Sequence, residues 1–284
     1  MRIDVPGVLA LSVLLAAPVA AQDRPKFMEV TTVKVKPGKR GDLEAAMRKG
    51  VEANRRYKGD HWIAFDSFYG DGMTMYLLSP RATMADAEQG FGNFERAMKE
   101  AYGAALPKLY QDFGNSIESI RTELRLRRWD LSQNVPATQE EMNRMVGEAR
   151  WLRMTAVEVR RPHLLEFEKF VPELLGGMQR KVPAMRTMVM QSSAGGDGGI
   201  YFYFTSLHKS LAEMDQFPNI REALGEDLFR KFLRMDGEAV VRAIPMVARI
   251  VPELSNPPEA IASVSRDFWT PKPVMAARKA KAAQ

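Results

Sequence analysis

The residues of this 284-residue chain that are able to do chemistry gather in short runs, and none of the runs is a catalytic signature. The run RTELRLRR, Arg121 to Arg128, alternates charged with apolar or small side chains, so a strand there places Arg121, Glu123, Arg125 and Arg127 on one face. A guanidinium grips a carboxylate or phosphate through two parallel hydrogen bonds, which makes Arg125 or Arg127 the expected contact for an anionic group. Tyr76, Tyr201 and Tyr203 stand in aromatic, period-two runs and add ring faces and phenol hydroxyls. The same alternation assigns Trp62, Asp66 and Arg186 to that face, together with Met188, Met190, Met246 and Ile250. The candidate ligand-binding set is therefore Trp62, Asp66, Tyr76, Arg125, Arg127, Arg186, Tyr201 and Tyr203, a lining suited to a small apolar, aromatic or acidic molecule. The bland alternative is structural: alternating charges protect edge strands, and tyrosines in sheets commonly pack with one hydrogen bond.

No catalytic residue follows from these types alone. Asp66, Glu123 and Asp197 have the chemistry of an acid or base, but that role needs a geometry that spacing does not supply. The glycine-rich SSAGGDGG, residues 192–199, lacks the G-x-S-x-G elbow and the lysine of a phosphate loop, and reads as a hairpin turn. His61, His163 and His208 fall in no metal-ligand spacing, so no metal is expected and the histidines read as isolated surface residues. With no cysteine, disulfides, thiolate metal sites and thiol nucleophiles are excluded.

The elements that position these residues are legible because the chain repeats itself. FMEVTTVKVKPGK, from Phe27, returns as WLRMTAVEVRRPH, from Trp151, an offset of 124 residues. In the first copy a period-two strand leads through Pro37-Gly38 into DLEAAMRKGVEANRR, whose Leu43, Ala46, Met47 and Val51 recur at helical spacing. Each copy then has two aromatic or β-branched runs around a Gly-Asp-Gly turn, which predicts a hairpin. Thr83 with Asp86, and Ser210 with Glu213, match a hydroxyl cap and an acid three residues on, so a second helix is predicted to begin at each. A last strand begins after Gly114 and after Gly237.

The order β-α-β-β-α-β, twice, predicts an α+β fold of two tandem ferredoxin-like units. Each unit leaves one apolar sheet face bare, at a cost of ~25 cal/mol per Å², so the two are expected to bury those faces together as an intramolecular α+β barrel. Val33, Val35, Ile63, Phe65, Met73, Met75 and Leu77 are assigned to the helix-side core of the first unit. Val157, Val159, Val189, Ile200, Phe202 and Phe204 take that place in the second.

At VTTVKVKPGKRGDLEAAM the sequence resembles the dimeric α+β barrel superfamily, in particular antibiotic-biosynthesis-monooxygenase-like and NIPSNAP-like domains, over Phe27–Ser132 and Trp151–Ser255. The resemblance implies a pocket inside the barrel or between sheet and helices, and a monomer or homo-oligomer. Members range from cofactor-free oxygenases to haem binders to proteins without activity, and two-unit haem enzymes resembling chlorite dismutase make His163 or His208 the implied axial ligand if haem is bound. The haem-ligating His with its Asn and Trp partners has no counterpart here, so no catalytic residue is carried over and no cofactor is expected.

The remaining segments complete a domain plan. Residues 1–21 carry Arg2, the apolar VLALSVLLAAPVA and small residues at Val19 and Ala21, an export signal cut between Ala21 and Gln22. The apolar run is shorter than the ~20 residues of a spanning helix, so no stable membrane insertion is expected and the product is periplasmic or secreted. Residues 22–132 are the first unit, 133–150 a polar linker with a helix predicted from Thr138, 151–255 the second unit, and 256–284 a Pro-rich, basic tail. A net charge of +6 without a binding motif argues against nucleic acid as a partner. Two functions stay open at this point: a protein that binds a small apolar or aromatic molecule in the barrel, with or without cofactor-free oxidation of it, and a non-catalytic structural or interaction module.

Overall fold

The computed structural model describes residues 24–270; the segment expected to be an export signal and the basic C-terminal end lie outside the described residues. The first half runs β1 (Phe27–Val35), α1 (Arg40–Arg56), β2 (Ile63–Tyr69), β3 (Thr74–Arg81), α2 (Met84–Tyr102), α3 (Leu106–Ser116) and β4 (Ile117–Arg127). After α4 (Gln139–Glu148) the order returns as β5 (Trp151–Val159), α5 (Leu164–Lys181), β6 (Met188–Gly195), β7 (Ile200–His208), α6 (Ile220–Ala239) and β8 (Val240–Ile250). The eight strands form one closed barrel in the order β1-β3-β2-β8-β5-β7-β6-β4, with every neighbouring pair antiparallel. Closure is made edge to edge, at β2–β8 and β4–β6, so the bare faces curl inward instead of stacking as two flat layers.

Helix spacing explains the outer layer. Leu43, Met47 and Val51 of α1 recur every fourth residue and pack on Val33, Val35 and Met75. Phe167, Val171 and Leu175 of α5 do the same against Val157, Val159 and Phe202. Thr83 caps α2 in the reciprocal arrangement with Asp86 that its spacing predicts. Ser210 also accepts the Glu213 N–H, but it opens only a 3-10 turn, Leu211–Gln216; α6 begins at Ile220 under an Asn219 cap and breaks at Gly225 (φ +73°) before its longer part. Pro218 accounts for the interruption between the turn and α6: it has no N–H to donate and holds Phe217 in an extended conformation (ψ 114°).

One strand departs from the expected faces. Ile63 and Phe65 point into the barrel, while Trp62 and Asp66 face the helices. The hairpin register decides this, because Phe65 lies opposite Tyr76 and Ile63 opposite Leu78, and residues directly across an antiparallel pair share a face. A one-residue slip exchanges the two faces, and the loop between Tyr69 and Thr74, with Gly70 at φ +135°, sets which register forms.

The linker and the Pro-rich segment also do more than connect. Thr138 caps α4 as its spacing predicts, and α4 lies over one barrel mouth with Val146 against the interior. Residues 256–269 then return across it. Trp269 is fully buried and donates from Nε1 to the Gly147 carbonyl at 3.0 Å, and Phe268 sits under the Arg150 guanidinium at 3.7 Å. At Gly147 a Cβ would stand 2.6 Å from Val264 Cβ and 2.8 Å from the Ile261 carbonyl oxygen. Gly147→Ala is therefore expected to lower stability by about 1–3 kcal/mol, measured by urea unfolding, through overpacking that helix propensity alone would not cause.

Candidate functional site

The barrel interior has two parts. In its middle, Glu123 and Arg125 are almost completely buried, at 3% and 4% exposure. Arg125 donates from Nε to Glu123 Oε1 at 2.8 Å and from its terminal nitrogen to the same carboxylate. The Tyr203 hydroxyl donates to Glu123 Oε2 at 3.0 Å, and the Arg125 guanidinium lies 3.5 Å above the Tyr203 ring. Burial pushes the Tyr203 phenol upward, with Arg125 opposing and Glu123 reinforcing the shift, so it stays protonated as a donor. Tyr76 shifts the same way, again chiefly through burial. Met154, Met190, Met246 and Tyr201 fill the space around this cluster. Its charges and hydrogen bonds are used internally, Arg125 by Glu123 and the Tyr203 ring.

Toward α4 the interior opens into a chamber of about 120 Å³. Met28, Ile63, Phe65, Leu78, Val146, Leu152, Met190, Leu207 and Ile261 make most of its wall, and among the described residues no carboxylate lines it. Its polar side chains are largely engaged elsewhere: Gln139 donates to Asn143 at 2.8 Å, Thr205 to the Met188 carbonyl at 3.0 Å, and His61 Nδ1 lies 3.1 Å from the Asn256 carbonyl. The exception is Arg127. Its guanidinium stacks on Trp129 at 5.3 Å, forms no ion pair among the described residues, and keeps a buried Nε without a hydrogen-bond partner. Although part of the side chain remains accessible, its packing is close enough for burial to pull the guanidinium down to about 10, which leaves it cationic at neutral pH.

The predicted site residues thus separate. Tyr76, Arg125, Arg127, Tyr201 and Tyr203 point into the barrel. Tyr201, at the far end, donates to Glu158 at 2.9 Å and receives a hydrogen bond from Arg242. Asp66 is bound by Arg40 at 2.9 Å on the helix side. Trp62 packs edge-on to Phe94 and donates to the Leu254 carbonyl at 2.8 Å, and it also lines the chamber. Arg186 precedes β6, is exposed, and lines a different cleft. Sequence reasoning missed Trp129, Met142 and Val146; the amphipathic 139–148 segment was the available signal, but nothing in it says which surface it covers.

That second cleft, about 990 Å³, lies outside the barrel between α4, the 182–186 loop and the turn after β7. His208 forms part of its wall, with Nε2 2.8 Å from Ser206 Oγ and Nδ1 facing Glu213. It is buried and not the surface residue that its isolation in the sequence suggests, because Phe217 packs over the ring. His163 is tied through Nδ1 to Glu166 at 3.2 Å and lines neither cavity. An axial haem ligand needs an imidazole nitrogen aimed at open space; both His208 nitrogens face protein partners, and His163 lines neither cavity. Burial holds the His208 imidazole below its ordinary value, with Glu213 opposing and Arg153 reinforcing. The unfolded chain then binds more protons than the folded one once pH drops below the ordinary histidine value of about 6.5. Stability is expected to be full above that pH and to decline as pH falls through it; thermal melts from pH 8 to 5 should show the decline, reduced in His208→Gln.

No family model matches the sequence, and no curated protein matches it. Among solved structures, an anthrone oxidase-like protein superposes with a TM-score of 0.52 at 15% identity, covering 80% of this chain and 92% of that one. Chlorite dismutase from Candidatus Nitrospira defluvii superposes with a TM-score of 0.46 at 10% identity, covering 85% of this chain and 95% of that one. At 15% identity the likeness to the anthrone oxidase-like protein is one of fold alone: a closed eight-stranded antiparallel barrel with helices outside.

Proposed function

We propose that this chain is an exported binding protein for a small apolar carboxylate, held in the chamber between the barrel and α4. The observation that carries the reading is Arg127, a cation without a carboxylate partner among the described residues, in a chamber whose other walls are mostly apolar. Leaving a guanidinium so placed costs desolvation energy that a bound anion recovers through charge-assisted hydrogen bonds. The volume bounds the ligand. Apolar cavities of ~150 Å³ accept benzene, so a chamber of about 120 Å³ suits one ring or a short branched chain with its carboxylate toward Arg127. In this reading the tandem ferredoxin-like units serve as the two halves of one container, working as a monomer or homo-oligomer. No described helix is long and apolar enough to cross a membrane.

The filled middle of the barrel supports a second reading for that region alone: packing by methionine, tyrosine and an internal ion pair, as in a structural module. Titration of the protein with benzoate and with benzamide separates the two readings, with Trp129 fluorescence and calorimetry as readouts. The binding reading expects benzoate to bind at least ~10-fold tighter than its neutral amide, one charge-assisted hydrogen bond being enough for that ratio. Equal or absent binding of both would leave only the structural module.

A further inference from the structure

The outer cleft carries chemistry of its own. Ser206 and His208 stand two residues apart at the end of β7, so both side chains leave the strand on its outer face. Ser206 Oγ is 2.8 Å from His208 Nε2, and His208 Nδ1 is 3.8 Å from Glu213 Oε2. The carboxylate is held in place: Glu213 Oε2 accepts the Lys209 N–H at 2.8 Å, and the Glu213 N–H is donated to Ser210 Oγ at 3.3 Å. His208 is 7% exposed and packs edge-on against Phe217, whereas Ser206 is partly open and lines the cleft. A hydroxyl, an imidazole and a carboxylate in line at a cleft wall form the arrangement that activates a serine oxygen. Base-to-carboxylate distances are commonly long before substrate binds, which accommodates the 3.8 Å.

We propose that Ser206 is a nucleophile for small carboxylic esters bound in this cleft, with His208 as its base and Glu213 as the positioning residue. Burial keeps the imidazole neutral at pH 7, the state a base requires. As Ser206 Oγ bonds to the ester carbonyl carbon, its proton passes to His208 Nε2. The carbon–oxygen bond to the alcohol then breaks, and that proton leaves with the alcohol. Water, deprotonated by the same nitrogen, releases the acid and restores the hydroxyl. Arg186 is exposed on the same cleft and has no ion pair among the described residues, so the preferred ester carries a negative charge. Two strand residues and a capping acid produce this set, which is why no motif search reveals it. It is independent of the chamber, which shares with it only Leu207.

The test is covalent labelling of the full chain with an alkyl fluorophosphonate, in which Ser206 Oγ bonds to phosphorus, fluoride leaves and His208 takes the proton. Intact-mass and peptide mapping are expected to show a single adduct on Ser206, approaching one per chain. His208→Gln should slow labelling by at least ~100-fold, the lower end of what a general base contributes, and Glu213→Gln should slow it as well. Labelling scattered over several serines in the unaltered protein, or no adduct on Ser206, overturns the proposal without reference to any variant's folding. So does an unchanged rate in His208→Gln with a native melting curve. Benzoate should leave the rate unchanged, which keeps this result separate from the outcome for the chamber.

Discussion

Arg127→Met is expected to weaken benzoate binding by about 10- to 100-fold while leaving the folded protein as stable as before or more so. The two effects have opposite signs for one reason. The guanidinium has no ion pair among the described residues and keeps a buried Nε without a hydrogen-bond partner, so removing it relieves that unmet donor in the free protein and, at the same time, deletes the arginine that lines the chamber. Methionine follows the same path along the wall with its flexible thioether and keeps apolar contact with Trp129 and Met190. Calorimetry with benzoate and urea unfolding of the same samples checks both signs. A variant that loses stability but retains affinity would place the anion elsewhere.

Glu123→Ala should behave in the opposite way, costing about 3–5 kcal/mol of stability with little direct effect on the chamber. Glu123 is the carboxylate for a guanidinium that is 4% exposed, and it accepts the Tyr203 hydroxyl as well. Truncation leaves Arg125 charged inside the barrel with the Tyr203 ring and Met154 sulfur as neighbours, neither of which replaces an anion. Converting both members, Glu123→Leu with Arg125→Met, is expected to recover most of the loss, because the penalty belongs to the unpaired charge and not to the missing contact. Urea midpoints of the single and double variants, analysed as a cycle, measure the coupling.

These two arginines show how far the sequence reads. Arg125 and Arg127 are the same residue type, two positions apart on one strand face, and the alternation in RTELRLRR places both inside the barrel. Nothing in that run distinguishes them. The barrel does, because closure brings β6 alongside β4 with Met190 opposite Arg127, while Arg125 keeps Glu123 beside it and receives Tyr203 from β7. Likewise Tyr76 and Met75 fall on opposite faces of β3 as their alternation predicts, yet Trp62 and Phe65 are exchanged on its neighbour, since alternation sorts a strand into two sets without saying which set turns inward. The Ser206–His208 pair is visible as a spacing on one strand, but Glu213 joins it only through a 3-10 turn that Pro218 keeps from extending as a helix.

The sequence by itself determined the strand order, the return of that order from Trp151, the caps at Thr83 and Thr138, and the candidacy of arginine and tyrosine for the interior, though not α3 or the 3-10 turn after Ser210. Those features are local: side-chain period, capping chemistry and turn residues act within a few positions of one another. Tertiary structure alone decided the register of β2, the edge-to-edge closure, the cover supplied by α4 and Trp269, and the isolation of Arg127. Each of these depends on which distant residues come to lie opposite one another, and a period of two repeats identically at every register.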